Sequence, residues 1–142
     1  MSEGASSTTA AAARAYVEAF AGADPDTIAA LVSDDFVNEH TAALGTGCVG
    51  RAAYRARLPE FLASMPGLRY RVDDLVVDGH RAAVFYTMTG RWEGTPFEVR
   101  GAQRLEVRDG LIARRLDHWD SAVFLRQVDA DAASLLATVG LA

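Results

Sequence analysis

Lysine is absent from the sequence, and cysteine occurs once, at Cys48. All 14 cationic side chains are arginines, dispersed along the chain against 19 carboxylates, for a net charge of −5. Without a basic run the chain cannot supply the phosphate neutralisation on which nucleic-acid affinity rests, so nucleic acid is not expected as a partner. A lone cysteine forms no intrachain disulfide, and Cys48 has no basic neighbour to hold it as a thiolate. Long apolar runs are also lacking. Nothing approaches the roughly 20 residues of a membrane span, and Met1 to Thr9 has neither the basic start nor the apolar centre of a secretion signal. The expectations are no membrane partner and a cytoplasmic location. The histidines, His40, His80 and His118, show neither i, i+4 spacing nor a cysteine partner, so no metal site is expected.

Bulky apolar side chains are in modest supply. Half of the 142 residues are apolar, yet 27 of them are alanine, which leaves 44 larger ones. A domain of this length still buries roughly 70% of its unfolded surface, so it folds without staples. Ten of the alanines fall between Ala10 and Ala30. Placed over a sheet, they would leave room for a cavity.

Residues 1–8 read as a flexible tail. From Thr9 to Ala21, alanine with Tyr16, Val17 and Phe20 at helical spacing gives a helix that Gly22 ends. Asp24-Pro25-Asp26 is an N-cap, a first-turn proline and a dipole-complementing acid, which starts a second, short helix. Phe36 to His40 is a strand. Tyr54, Leu58, Phe61, Leu62 and Met65 form one helical stripe, interrupted by Pro59 and stopped by Pro66-Gly67. The period then changes to 2. Strands over 68–77, 81–92, 97–107 and 111–119 are separated by Asp78-Gly79, Gly94-Thr95-Pro96 and Asp109-Gly110, an antiparallel meander. The apolar set skips a residue at Asp73-Asp74, which predicts a bulge. Ser121 to Val128 adds a terminal helix behind an N-cap at Asp120, and 129–142 is a C-terminal extension. Helices followed by a meander make an α+β fold with the helices on one face of the sheet.

Along 97–107, Phe97, Val99, Gly101, Leu105 and Val107 alternate with charged residues, which places Gln103 on the apolar face. For the last strand, periodicity leaves open which face is inward. Gly45-Thr46-Gly47-Cys48-Val49-Gly50 matches G-x-G-x-x-G, but the meander that follows is not a βαβ unit, so no dinucleotide cofactor is expected.

Asp34-Asp35-Phe36-Val37-Asn38, Met65-Pro66-Gly67-Leu68, Thr89-Gly90 and Asp109-Gly110-Leu111-Ile112 lead to Asp117-His118-Trp119-Asp120-Ser121-Ala122-Val123-Phe124. In order and spacing this series resembles the nuclear transport factor 2-like superfamily, in its SnoaL-like branch, over residues 9–128. The resemblance implies a cone-shaped α+β barrel, N-terminal helices on a strongly curved antiparallel sheet around one pocket, and a homodimer through the outer sheet face. It implies no cofactor and a small apolar or carbonyl-containing ligand. As in polyketide cyclases of that branch, Asp117 would be a general base. Asn38 matches an asparagine of limonene-epoxide-hydrolase-like members. With Arg115, Asp117 and Trp119 inward, Asn38 and His40 face them, and Tyr86 lies inward with Val84 and Met88.

Asn38, Tyr86, Gln103 and Arg115 are thereby candidates for holding an oxyanion, and His40 for proton transfer near the pocket mouth. Phe85, Phe97, Met88 and Trp119 are candidates for shaping the cavity. The departures are equally definite. Gln103 stands where cyclase relatives commonly carry a histidine, and His80-Arg81-Ala82 stands where epoxide hydrolases need Arg-x-Asp. Ketosteroid isomerases take their base from the first-strand region, where only Glu39 and His40 are available. The reading is a cofactor-independent cyclase or isomerase. A non-catalytic binding or dimerisation domain is the alternative and an epoxide hydrolase the third.

Overall fold

A computed structural model describes residues 3–140. Helix α1 (Glu3–Ala19) runs through a 3-10 turn into α2 (Pro25–Ala29), and these precede β1 (Val32–His40) and the two-residue β2 (Cys48–Val49). Helix α3 (Arg51–Ser64) leads to the meander β3 (Arg69–Asp78), β4 (Arg81–Trp92), β5 (Thr95–Arg108) and β6 (Leu111–Trp119), followed by α4 (Ser121–Val128) and α5 (Ala130–Thr138). The sheet order is β2-β1-β6-β5-β4-β3. No helix among the described residues is long and apolar enough to cross a membrane.

The α+β class and the helix-on-sheet packing stand as the sequence predicts, with two corrections to the sheet. It is mixed rather than antiparallel, because β1 lies parallel to β6. It is also open: β2 and β3 are its two edges and do not pair, so helices rather than hydrogen bonds close the cone. The predicted bulge is present, the β3–β4 register shifting between Val72 and Asp74. An extra residue there bends the strand. Asp109 and Gly110 both take positive φ, as a type I′ turn requires. The β4–β5 turn is Glu93-Gly94 instead of Gly94-Thr95-Pro96, with β5 already begun at Thr95 opposite Trp92. Pro96 sits opposite Arg91, whose N–H turns away to the Pro66 carbonyl at 3.1 Å.

Residues 3–8 are not a tail. They form the first turns of α1, because the alanine-rich run propagates the helix toward its start and its hydroxyls fasten to the β3–β4 turn. Thr9 donates to the Gly79 carbonyl at 2.6 Å, and Ser6 accepts from the Gly79 N–H at 3.3 Å. Met1 and Ser2, the rest of the predicted tail, lie outside the described residues, as do the last two residues of the C-terminal extension. Both predicted caps form: Asp24 accepts from the Asp26 N–H, and Asp120 from those of Ala122 and Val123. Helix α3 continues across Pro59.

The core lies between α1, α3 and the inner sheet face, with Tyr16, Val17, Phe36, Val84, Leu105 and Ile112 inaccessible or nearly so. The N-terminal alanines are not what opens a cavity. Ala11, Ala15, Ala21, Ala23 and Ala30 face solvent, and of the ten only Ala13 and Ala29 are buried. Ala11 and Ala15 contribute helix propensity on the exposed surface of α1.

Candidate functional site

Parallel pairing of β1 with β6 sets Asn38 beside Arg115 and His40 beside Asp117. All four side chains point inward with Phe36, which settles the face of β6 that periodicity leaves open. Arg115 donates through Nη1 to Asn38 Oδ1 at 2.9 Å and through Nη2 to Asp117 Oδ2 at 3.0 Å. The second Asp117 oxygen, Oδ1, accepts from the Tyr86 hydroxyl at 2.7 Å. Tyr86 lies two strands away, and its side chain crosses β5 over Gly101. A Cβ at Gly101 would stand 2.4 Å from the Tyr86 hydroxyl oxygen, so only glycine allows this contact.

Arg115 and Asp117 are 5% and 3% exposed, a charge pair inside the core. The chain has four tyrosines, and all of them gather round this pair. Burial weighs against the Arg115 charge, but the oxygens of Tyr16, Asp117, Tyr70 and Tyr54 outweigh it and hold the guanidinium charged. The phenols are pushed up in turn, Tyr86 by burial and then by the Asp117 carboxylate, Tyr70 and Tyr54 chiefly by burial. With Tyr16 raised as well, all four are neutral at pH 7. The Tyr16 and Tyr54 hydroxyls share a hydrogen bond of 2.5 Å.

In front of this network lies a cavity of about 430 Å³. Asn38, His40 and Arg115 supply its polar wall, and Phe20, Tyr54, Leu58, Phe61 and Trp92 its apolar body, with Arg57, Glu60 and Ser64 on the α3 side. Asp117 does not line the cavity but lies buried behind Arg115, its carboxylate held by Arg115 and Tyr86. Its Oδ2 is nevertheless 3.8 Å from His40 Nδ1. Trp119 lies beside His40, to which its indole donates at 3.4 Å. Burial, with Arg115 next, lowers the His40 pKa to about 4.

The structure thus brings together Asn38, His40, Tyr86, Arg115, Asp117 and Trp119. Gln103 is set apart from the cavity: it is fully buried opposite Asp117, and neither amide atom has a protein partner, nor does Arg115 Nε. Phe85 is a correction. It is 43% exposed on the outer sheet face, as its parity with inward Tyr86 requires. Phe97 packs on Phe124 instead of lining the cavity, and Met88 is core. Cys48 belongs to the paired strand β2, and Arg57 donates to the Thr46 and Gly47 carbonyls, so the glycine run is a rim loop held to α3. Sequence reasoning named Tyr86 but missed Tyr16, Tyr54 and Tyr70 around the pair, and the α3 wall. Their signal was slight, since Tyr54 and Phe61 read only as a helix stripe. No group of acidic, histidine or cysteine side chains among the described residues could hold a metal ion.

The family model of the SnoaL-like domain matches residues 13–115. The chain belongs to the SnoaL-like family. The match ends at Arg115, so Asp117 stands just beyond it. Among solved structures, a protein named as a polyketide cyclase from Xanthomonas campestris pv. campestris is 25% identical, with a TM-score of 0.73 over 88% of this chain and 99% of its own. An LEH-like epoxide hydrolase of M. tuberculosis is 19% identical, with a TM-score of 0.77 over 94% and 98%. A protein named as a ketosteroid isomerase from Kribbella flavida DSM 17836 is 30% identical, with a TM-score of 0.63 over 80% and 78%. No curated protein matches the chain significantly.

Proposed function

We propose that this SnoaL-like domain is a cofactor-independent cyclase or isomerase, in which Asp117 removes a proton next to a carbonyl of a small, largely apolar substrate. The observation that carries the reading is the buried Arg115–Asp117 pair, with Arg115 facing the 430 Å³ cavity and Asp117 directly behind it. A substrate carbonyl entering the cavity meets Arg115 first. As the guanidinium takes that oxygen as partner it leaves Asp117 Oδ2, which becomes free to accept the α-proton. The C–H bond breaks, its electron pair passes to the carbonyl oxygen, and the enolate is held by Arg115. The enolate carbon then attacks a second carbonyl of the same molecule or is reprotonated elsewhere by Asp117. Tyr86 holds Oδ1, so Oδ2 is the reacting oxygen.

The names of the cyclase and isomerase neighbours agree with this chemistry. Epoxide hydrolysis has less support. The inward positions of β4 are Ala82, Val84, Tyr86 and Met88, none of which supplies a second carboxylate across Arg115. A binding domain without catalysis is favoured by one observation, that both Asp117 oxygens are held by hydrogen bonds from Tyr86 and Arg115. The same reading includes a homodimer through the outer sheet face, where Phe85 and Val76 are exposed.

Asp117→Asn preserves size and removes the base. With a panel of aryl β-dicarbonyl esters, wild type is expected to turn over a member and Asp117→Asn to lose at least about 100-fold. Full turnover by the variant rejects Asp117 as base. Ligand-induced thermal stabilisation with no turnover by wild type supports the binding domain.

A further inference from the structure

We infer that His40 is the neutral hydrogen-bond donor of the cavity: Trp119 holds its Nδ1 as an acceptor, so its Nε2–H is offered to the substrate oxygen that Arg115 receives. This rests on the proposed function for the identity of that oxygen.

An indole N–H donates and never accepts. Trp119 Nε1 lies 3.4 Å from His40 Nδ1, so Nδ1 must present its lone pair, and in a neutral ring the proton is then on Nε2. Asp117 Oδ2 is the competing partner for a proton on Nδ1, but at 3.8 Å it is beyond hydrogen-bond reach. Gly45 closes the same edge of the ring, its missing Cβ position lying 3.1 Å from Cγ and 3.2 Å from Nδ1. Nε2 has no protein partner among the described residues, and the side chain keeps 15% exposure as part of the cavity wall.

The charged groups facing His40 are Arg115 and Asp117 from β6 and Arg57 from α3. Burial and then Arg115 lower its pKa, Asp117 opposes them, Arg57 adds to them, and the outcome of about 4 leaves the ring neutral at pH 7. A neutral imidazole donor beside a cation is suited to an oxygen that gains charge during reaction. Asn38 joins the set, since its Oδ1 is taken by Arg115 and only its amide N–H groups remain. The site therefore selects an enolisable carbonyl or phenol-like oxygen. His40 is on this account a catalytic residue and not the base.

Two readouts test the inference on the full chain. In NMR of protein carrying isotope-labelled histidine at pH 7, the His40 signals are expected to show Nε2 protonated and Nδ1 bare. Trp119→Phe, which keeps an aromatic ring against Phe124, is expected to give a mixture of tautomers. A proton on Nδ1 in wild type overturns the inference whatever the activity of the protein. The second readout is binding of naphthol, whose hydroxyl stands in for the enol. His40→Phe is expected to weaken it about tenfold or more, and His40→Gln, which keeps an N–H, to hold it within about threefold. Equal affinity in wild type and His40→Phe overturns the donor role. Failure of wild type to bind naphthol, with the Nε2–H tautomer seen, counts against the oxygen-binding reading of the cavity instead.

Discussion

Asp117 carries two loads, one structural and one chemical. Its carboxylate is the counter-ion of a buried guanidinium, and removing one member of such a pair costs about 3–5 kcal/mol. Asp117→Asn is therefore expected to lower the melting temperature as well as turnover. Tyr86→Phe deletes a single hydrogen bond to the charged carboxylate, at a cost of about 1.5–3 kcal/mol. Denaturant melts of the two variants should rank them in that order. His40 gives a pH signature. Its pKa falls from the ordinary 6.5 to about 4 on folding, so between these values the unfolded chain binds a proton that the folded one refuses. The stability tied to neutral His40 is complete above about 6.5 and is lost as pH falls toward 4. His40→Gln should flatten that slope relative to wild type, as read from denaturant melts through this range. At this scale the sequence was informative where parity applied: Asn38, His40 and Tyr86 point as alternation requires. It was silent on Asp117 standing behind the wall, because depth depends on what Arg115 and Tyr86 do with their long side chains.

Strands set the site more than loops do. The β1–β6 register couples Asn38 to Arg115 and His40 to Asp117, while β5 contributes chiefly by having no side chain at Gly101. Gly101→Ala would place a methyl 2.4 Å from the Tyr86 hydroxyl oxygen and 2.8 Å from the His118 carbonyl oxygen. Strained repacking of this kind costs about 1–3 kcal/mol, and Tyr86 must leave Asp117. The variant should then match Tyr86→Phe in turnover, a comparison that steady-state kinetics makes directly. The meander and its bulge were legible because a change of period and Asp-Gly turns are local signals. The parallel β1–β6 pairing was not, since nothing in either strand encodes a partner some 75 residues away.

For the whole molecule, the alanine count proved misleading. Read as spare volume, the N-terminal alanines do not line the cavity, half of the ten facing solvent, and the cavity instead arises where α3 stands off from an open sheet bounded by aromatic side chains. The outer face is the other feature at this scale. Phe85, 43% exposed, and Val76, 55% exposed, lie outside the core, and the proposed homodimer would cover them. Light scattering is expected to give twice the chain mass for wild type and the single mass for Phe85→Glu. A monomeric wild type contradicts the dimer and leaves the cavity chemistry untouched.

Proton transfer at carbon by the Arg115–Asp117 pair is most directly tested by exchange of the α-protons of acetonaphthone in deuterium oxide, followed by NMR with wild type and with Asp117→Asn. Wild type should accelerate the exchange and the variant should return it to the buffer rate. Equal acceleration by both proteins, or none by wild type, would contradict the assignment.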